Sequence, residues 1–138
     1  MRLLTATDFA LRALMRLAAE PERHLNTEEL AADLAISRNH LQKVVQHLAD
    51  AGFVRTLRGA KGGVTLGRPA GEIRIGAVVR WFEREQGVVE CFRPDGGQCV
   101  LDPRCRLKGM LAGAREAFLR HLDQFTLADC ASGFPADW

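Results

Sequence analysis

Residues 7–52 carry three helical patterns separated by very short breaks, and this succession leaves few folds open to the chain. In residues 7–19, apolar side chains recur every three or four positions, as they do along one face of an α-helix. Pro21 then ends this first pattern, because proline cannot continue a helix interior. The pattern predicts a short first helix.

The second and third helical patterns are joined by a tight turn. Thr27 can cap a second helix that runs to about Ala35, with acidic residues in its first turn, where they suit the helix dipole. Ser37 can cap a third helix that Gly52 ends. The side chains of this helix that should face inward are Leu41, Val44, Val45 and Leu48. Two helices joined in this way, the second basic on its outer face, predict a helix-turn-helix unit.

A basic, glycine-rich turn follows the third helix. The segments FVRTL, residues 53–57, and VTL, residues 64–66, predict two short strands, and the turn between them carries Arg58 and Lys61. A helix-turn-helix followed by a basic hairpin predicts a winged helix. Its third helix suits the major groove, and its wing suits the phosphate backbone or the minor groove. The alternative, a phosphate-binding loop, lacks the GxxxxGK[ST] spacing and the following helix.

The distribution of charge favours a nucleic-acid partner. The whole chain has a net charge of +2, but residues 37–68 hold six basic side chains against Asp50 alone, which gives that segment +5. A local basic footprint of this kind is what a phosphate backbone requires. The alternative interpretation is a solvated basic face without a ligand.

The second half of the chain predicts two further helices on either side of a loop. Helical periodicity resumes in residues 73–85 and again from Pro103. The apolar seam of the last helix consists of Leu107, Leu111, Ala114, Phe118, Leu122 and Phe125. Such a seam either packs back on the core of its own chain or crosses to a second subunit. Because operators are two-fold symmetric, we favour the second and expect a homodimer. The tail after Asp129 is expected to be irregular.

The expected fold is therefore mainly α with a small β-hairpin. Residues 1–76 should form a winged helix-turn-helix DNA-binding region, and residues 77–138 a loop and a long dimerisation helix. With 138 residues, of which 47% are hydrophobic and 26% charged, the chain can bury a core of its own.

Several classes of protein are excluded on sequence grounds. No apolar run approaches the roughly 20 residues that span a bilayer, so no membrane partner is expected. Residues 1–14 lack a signal-type apolar region, and a cytoplasmic location is expected. No Ser/His/Asp set or HExxH motif is present, so no enzymatic activity is expected.

Three of the four cysteines lie close together in the sequence. Cys91, Cys99 and Cys105 are spaced C-x7-C-x5-C in a loop rich in glycine and proline. This is not the C-x2-C spacing of a zinc knuckle, and iron–sulfur clusters are held mainly by thiolates. The spacing alone leaves open a metal or cluster site, a thiol redox switch, or inert cysteines. Cys130, beyond the long helix, is expected to be an unpaired residue of the core or surface.

Four stretches of the chain resemble the Rrf-type winged-helix regulators and, within them, the nitric-oxide-sensing NsrR type. They are TDFALRAL, SRNHLQKVVQHLADAGFV, RGAKGGVTLGRPAGEIRIGAVVRWFE and CRLKGMLAGAREAFLRHLDQFTLAD. The resemblance extends from about Leu4 to Asp129 and implies a dimeric transcription regulator with a cluster at the three loop cysteines. The chain departs from the family pattern in the wide gap between the first two cysteines and in the cysteine that follows TLAD.

The resemblance also implies a ligand set. In NsrR-type proteins an aspartate of the first helix completes a 4Fe–4S cluster from the other subunit, and the matching residue is Asp8. Read alone, Asp8 is a first-turn acid that suits the helix dipole. The related IscR uses a histidine where this chain has Lys108. The implied cofactor is a 4Fe–4S cluster, with 2Fe–2S as the alternative. Its implied ligands are Cys91, Cys99, Cys105 and Asp8 of the partner subunit.

These observations together lead us to expect a repressor that binds palindromic double-stranded DNA and is released when nitric oxide attacks its cluster. The residues expected to touch DNA are Ser37, Arg38, Asn39, His40, Gln42, Lys43, Arg58 and Lys61. One alternative is an iron- or redox-responsive iron–sulfur regulator of the same fold. Another, from a different class, is a thiol redox protein, which would have no use for a basic wing.

Overall fold

The computed structural model describes residues 2–102 and 104–131. In chain order the elements are helices α1 (Thr5–Ala19), α2 (Thr27–Leu34) and α3 (Arg38–Asp50), strands β1 (Val54–Leu57) and β2 (Gly63–Leu66), and helices α4 (Ile75–Glu83), α5 (Arg106–Leu122) and α6 (Leu127–Ala131). Short 3-10 helices cover Ala70–Glu72 and Glu90–Phe92. This order confirms the predicted class, mainly α with one small hairpin. None of the described helices is long and apolar enough to cross a membrane.

A reciprocal pair of hydrogen bonds begins α2. The Asn26 side chain accepts a hydrogen bond from the backbone N–H of Glu29 at 2.8 Å, and the Glu29 carboxylate accepts one from the N–H of Asn26 at 3.0 Å. The capping residue is therefore Asn26, and the prediction of Thr27 was wrong by one position, because this capping box satisfies two backbone donors at once. Ala35, with φ of 52°, closes the helix in the left-handed conformation.

The caps of α3 agree with the sequence prediction. Ser37 precedes the helix, and its hydroxyl oxygen accepts a hydrogen bond from the N–H of His40 at 3.3 Å. Gly52, with a positive φ of 74°, follows the helix. The buried side chains of α3 are those predicted: Leu41, Val44, Val45 and Leu48. Its polar side chains are therefore left on the outer face.

The wing is tied to the loop that precedes the helix-turn-helix. Strands β1 and β2 pair antiparallel, with Leu57 opposite Gly63 beside the turn. Leu25, between α1 and α2, adds a bridge to β2: its N–H donates to the carbonyl of Val64 at 3.3 Å, and its carbonyl accepts from the N–H of Val64 at 2.7 Å. These bonds fix the hairpin beside α2 and α3.

Helix α1 runs through the core and contacts α2, α3, α4, α6 and β2. Its buried side chains include Arg16, which is 1% exposed. The Arg16 guanidinium donates to Asp33 of α2 at 2.8 Å and pairs with Glu20 at 2.8 Å. A buried cation is tolerated when it is paired in this way, and removing one partner would be costly. The ion pair therefore helps to fix α2 against α1.

The long helix α5 packs on its own chain along only part of its length. Leu119 is its buried residue, and it lies against α4, whereas Leu107 is 56% and Met110 64% exposed. Of the predicted seam, Leu107 is therefore exposed while Leu122 packs against the core, and neither Leu119 nor Met110 was among its predicted positions. Phe125, the last position of that seam, lies beyond the end of α5, because the helix ends at Leu122.

A short final helix replaces part of the tail that was predicted to be irregular. Helix α6 continues past Asp129 to Ala131, so the prediction was wrong for Cys130 and Ala131, and residues 132–138 lie outside the described part of the chain. Leu127 is fully buried, and its N–H donates to the carbonyl of Ile73 at 2.8 Å. Contacts with α1 and with the segment before α4 stabilise this turn of helix. A local pattern also begins it, since the N–H and the hydroxyl of Thr126 donate to the Asp129 carboxylate at 2.7 and 2.9 Å.

The crossing of α4 over α5 requires glycine at position 76. A Cβ on Gly76 would lie 2.8 Å from the carbonyl oxygen of Leu119 and would collide with the carboxylate of Asp123, which Arg80 already holds at 2.6 Å. We expect Gly76→Ala to lower the free energy of unfolding by about 1–3 kcal/mol. Gly71→Ala, in open space, should stay within about 0.5 kcal/mol of wild type. Urea unfolding followed by circular dichroism measures both, and equal stabilities would contradict the close crossing.

Candidate nucleic-acid interface and thiol site

The first turns of α3 present a polar face to solvent. The predicted DNA contacts on this face are all exposed: Ser37, Arg38, Asn39, His40, Gln42 and Lys43. Arg38 can form a bidentate pair with guanine, and Asn39 or Gln42 can do so with adenine. The Ser37 oxygen accepts the capping bond, which leaves its O–H free to donate. This face has the donors and acceptors that base edges in a major groove require.

The tip of the wing carries the other two predicted contacts. Arg58 and Lys61 are exposed in the turn between the strands, and neither forms an ion pair with another described residue. Leu57 beside them is 52% exposed. Cations free of protein partners on an anchored hairpin can neutralise phosphates.

The three loop cysteines occupy different backbone settings. Cys91 is the central residue of the second 3-10 helix, Cys99 lies in the irregular segment that follows, and Cys105 immediately precedes α5. All three are partly buried and free of disulfides. Free, partly accessible thiols remain available to a metal or to an oxidant.

A carboxylate folds the wide gap between the first two cysteines into a compact loop. Glu90 accepts a hydrogen bond from the N–H of Gln98 at 2.9 Å. Because Glu90 precedes Cys91 and Gln98 precedes Cys99, this bond ties together the neighbours of both thiols. Gly97 adopts a φ of 63°, and a Cβ there would meet the Glu90 carbonyl, so the turn needs glycine.

Lys108 lies beside the thiols at the two ends of the loop. Its ammonium group donates to both carboxylate oxygens of Asp102, at 3.0 and 2.8 Å. This bond raises the pKa of Lys108, and the nearby Cys91 and Cys105 raise it further, while partial desolvation opposes both. Lys108 therefore stays protonated at neutral pH and cannot replace the histidine ligand of IscR.

Asp8 lies in the first turn of α1, in a weak ion pair. Its carboxylate contacts Arg12 at 2.7 and 3.1 Å, with both side chains about half exposed, and exposed pairs of this kind contribute little to stability. The turn itself is fixed by Glu83 of α4, which accepts hydrogen bonds from the N–H of Leu4, at 2.7 Å, and from the hydroxyl of Thr7. The start of α1 is thus tied to α4, while the carboxylate of Asp8 can exchange partners.

The donor set fits an iron–sulfur cluster by its chemistry, but one chain does not assemble it. Three free thiols in one loop are the ligands that such clusters use most. Within residues 2–102 and 104–131, however, no group of three or more His, Cys, Asp or Glu side chains is arranged to hold a metal ion. Among these described residues, a single chain therefore does not bring its own three loop cysteines into a metal-holding group, nor Asp8 together with them.

Cys130 lies apart from the loop. It belongs to α6, is partly buried and packs against the hydrophobic core, which favours the core over the surface among the two settings expected for it. Burial raises the pKa of its thiol, and the neighbouring Asp129 adds to the shift. A thiol that stays protonated is a poor metal ligand.

Two contacts with α3 that involve aromatic side chains were not predicted from the sequence. The rings of Phe9 in α1 and His40 in α3 lie 6.5 Å apart, and the indole N–H of Trp81 in α4 donates to the carbonyl of His47 at 3.1 Å. Both pairs join residues that are distant in the sequence. An aromatic residue on a helix is ordinarily a core residue, so no local signal distinguishes these two.

Known proteins similar to this chain are transcription regulators. The family model Rrf2, described as "Iron-dependent Transcriptional regulator", matches residues 3–133. The HTH-type transcriptional regulator NsrR of Geobacillus kaustophilus is 47% identical over 130 residues, which cover 94% of this chain and 88% of that protein. The protein of the same name in Bacillus subtilis is 44% identical over 130 residues, with 94% and 89% covered.

Solved structures with a similar fold include two further regulators. CymR, described as the global cysteine regulator of B. subtilis, has a TM-score of 0.75 and 27% identity, with 98% of this chain and 99% of that chain covered. T. potens IscR has a TM-score of 0.71 and 23% identity, with 94% and 85% covered. The winged-helix architecture described above is therefore shared with known regulators.

Proposed function

Because this chain belongs to the Rrf2 family of transcriptional regulators, whose members are not enzymes, we propose that it is a dimeric, iron–sulfur-dependent repressor that nitric oxide releases from palindromic operator DNA. The observation that carries the proposal is one loop with three free thiols on the same chain as an exposed, basic helix-turn-helix. The relatives named NsrR support the same assignment.

The two activities are proposed to divide the chain at the start of α4. Residues 1–76 would read DNA through the exposed start of α3 and the wing. Residues 77–138 would hold the cluster and dimerise. The charge distribution supports this division, since the segment with net charge +5, residues 37–68, lies wholly in the first part.

A second copy of the chain is the proposed partner of α5 and the cysteine loop. Val100 is 94% exposed, Leu101 65%, Leu107 56% and Met110 64%. Apolar side chains clustered in sequence and exposed to this degree mark an interaction surface. Two-fold pairing through this surface would cover them and would match the symmetry of a palindromic operator.

The proposed cluster ligands are Cys91, Cys99 and Cys105 of one subunit and Asp8 of the partner subunit. When bound, such a cluster supplies iron to which nitric oxide can coordinate. Among these side chains the carboxylate of Asp8 is the hard, weakly held donor, so it is the one expected to leave most readily. Arg12 would then hold the released carboxylate, in the ion pair at 2.7 Å described above. The partner's thiol loop and α1 would no longer be joined, and the spacing of the two α3 helices would no longer be fixed.

Anaerobic purification followed by nitric oxide titration tests this proposal. We expect a brown protein with about four irons per subunit that loses its spectrum and its affinity for a palindromic operator together. Asp8→Ala should show weakened operator binding before any nitric oxide is added. Arg12→Ala is the matched control, because it removes the ion pair and leaves the carboxylate, and it should bind the operator like wild type.

Three other results would contradict the proposal or favour one of its alternatives. A colourless protein with stoichiometric zinc would overturn the cluster. A cluster whose reaction with nitric oxide leaves DNA binding intact would favour an iron- or redox-responsive regulator of the same fold. Thiol oxidation that changes DNA binding without any iron would favour a thiol switch.

Phosphate contacts by the wing predict a change in the salt dependence of binding. Each cation that neutralises a phosphate contributes about 0.9 to the slope of log K against log salt concentration. Arg58→Ala and Lys61→Ala should each reduce the slope by about that amount. Arg120→Ala, on the exposed surface of α5, serves as the charge-matched control. A slope that stays at the wild-type value in both wing variants would remove the wing from the interface.

A further inference from the structure

The recognition helix α3 is held at its N-terminal end by the element that carries Asp8. Phe9 is the next residue along α1, and its ring lies 6.5 Å from that of His40, with an angle of 44° between the ring planes. Ring separations of 4.5–7 Å are those of attractive aromatic contacts. His40 belongs to the exposed first turn of α3, where the DNA contacts are proposed. Phe9 therefore connects the proposed ligand Asp8, its neighbour in the sequence, to the exposed N-terminal turn of α3.

The C-terminal end of α3 is held by the helix that leads into the cysteine loop. The indole N–H of Trp81 donates to the carbonyl of His47 at 3.1 Å, in the last turn of α3, and this carbonyl also accepts the backbone N–H of Ala51 at 3.3 Å. Arg84 fixes the indole: its guanidinium lies 4.3 Å above the ring and donates to the Trp81 carbonyl at 2.5 Å. The next residue of α4, Phe82, adds a ring contact with His47 at 6.1 Å.

Helices α1 and α4, which contact the two ends of α3, are themselves hydrogen-bonded to each other at the start of α1 and the end of α4. Glu83, two residues beyond Trp81, accepts hydrogen bonds from Leu4 and Thr7, immediately before Asp8. A displacement at the start of α1 therefore reaches α4 through this carboxylate and reaches α3 through Phe9. Packed elements of this kind move between discrete arrangements as units.

We propose that Phe9 and Trp81 are positioning residues that transmit the state of the cysteine loop and Asp8 to α3. The inference rests on the proposed function. Loss of the Asp8 link shifts the first turn of α1 and, through Glu83, the last turn of α4. Phe9 contacts the N-terminal end of α3 and Trp81 contacts its C-terminal end. A shift of α1 relative to α4 therefore rotates α3 as a whole. The quantity that these side chains control is the ratio of operator affinities with and without the cluster.

The experiment measures that ratio in intact, anaerobically purified protein, with iron content recorded for every sample. Trp81→Phe keeps an aromatic ring, smaller than the indole, and removes the N–H donor, and we expect it to lower the ratio about fivefold, the equivalent of one net hydrogen bond. Phe9→Leu should also lower this ratio of operator affinities, whereas Phe9→Tyr, which keeps the ring, should leave it at the wild-type value. Iron per subunit should be unchanged in all three variants.

Arg68→Gln is the matched control for Trp81→Phe. Arg68 also donates to a carbonyl at the C-terminal end of α3, that of Ala51 at 3.4 Å, but it belongs to the segment after the wing. Its loss should change both affinities alike and leave the ratio at the wild-type value. A Trp81→Phe variant that behaves in the same way would overturn the inference, because the role of Trp81 would then be structural only.

Wild-type protein separates this inference from the proposed function. A wild-type ratio near one means that the proposed function fails and the inference fails with it. A large wild-type ratio that Trp81→Phe and Phe9→Leu leave unchanged overturns the inference alone. Trp138→Phe makes Trp81 the sole tryptophan of the chain. The emission maximum of Trp81 should then move when the cluster is removed, and a fixed maximum would contradict the proposed shift.

Discussion

We expect each of the substitutions Cys91→Ser, Cys99→Ser and Cys105→Ser to abolish stable iron binding and, with it, the operator affinity that depends on the cluster. Each substitution replaces a soft thiolate, which iron–sulfur clusters require, by a hydroxyl that remains protonated. The loop should keep its shape, because the Glu90–Gln98 hydrogen bond at 2.9 Å does not involve a sulfur atom. Iron and sulfide analysis of anaerobically purified protein measures the effect directly.

Cys130→Ser is the matched control for these substitutions. It changes the same atoms in a thiol that packs against the core in α6 and whose pKa is raised by burial. We expect wild-type iron content and a modest loss of stability, because a hydroxyl is less favourable than a thiol in a partly apolar site. Loss of iron in this variant, or its retention in all three loop variants, would move the site away from the loop.

We expect Arg38→Ala to weaken operator binding by about 5- to 150-fold and to relax the preference for one base pair. Arg38 is fully available at the start of α3, and a bidentate pair with guanine provides about 1–3 kcal/mol of discrimination. Asn39→Ala should have an effect of similar size at a different base pair. Because both side chains are exposed, thermal unfolding should be unchanged.

Gln46→Ala provides the control on the same helix. Gln46 is exposed but lies farther along α3, where its side chain donates to Asp50 at 2.9 Å. Its loss should leave base preference at the wild-type pattern. A selection from randomised operators, read out for wild type and the three variants, distinguishes these cases. An Arg38→Ala variant with unaltered base preference would assign that side chain to phosphate contact or to solvent.

The parts of the fold that were predicted correctly depend on neighbours in the sequence. Ser37 and Gly52 bound α3, and Leu41 and Leu48 are buried, because caps and apolar periodicity act within a turn or two of helix. The missed cap at Asn26 was also local. Its Asn-x-x-Glu spacing is that of a capping box and could have been preferred over Thr27.

The thiol site remains a prediction. Spacing and residue type bring out the three loop cysteines, and in the structure Cys130 differs from them in packing against the hydrophobic core. Contacts between residues that are separated in the sequence were not predicted. Nothing local shows that Glu90 holds the loop, that Lys108 pairs with Asp102, or that Glu83 fixes the start of α1.

By itself, the sequence determined the helix-turn-helix, the basic hairpin and the thiol-rich loop, because each follows from local propensity, charge or donor chemistry. Only the tertiary structure decided how these parts are connected. It placed Phe9 against His40 and Trp81 against the end of α3, and it left the outer turns of α5 uncovered. Such contacts depend on the crossing of helices from distant parts of the chain, and helix crossing is set by the packing of many side chains at once, which no short pattern encodes.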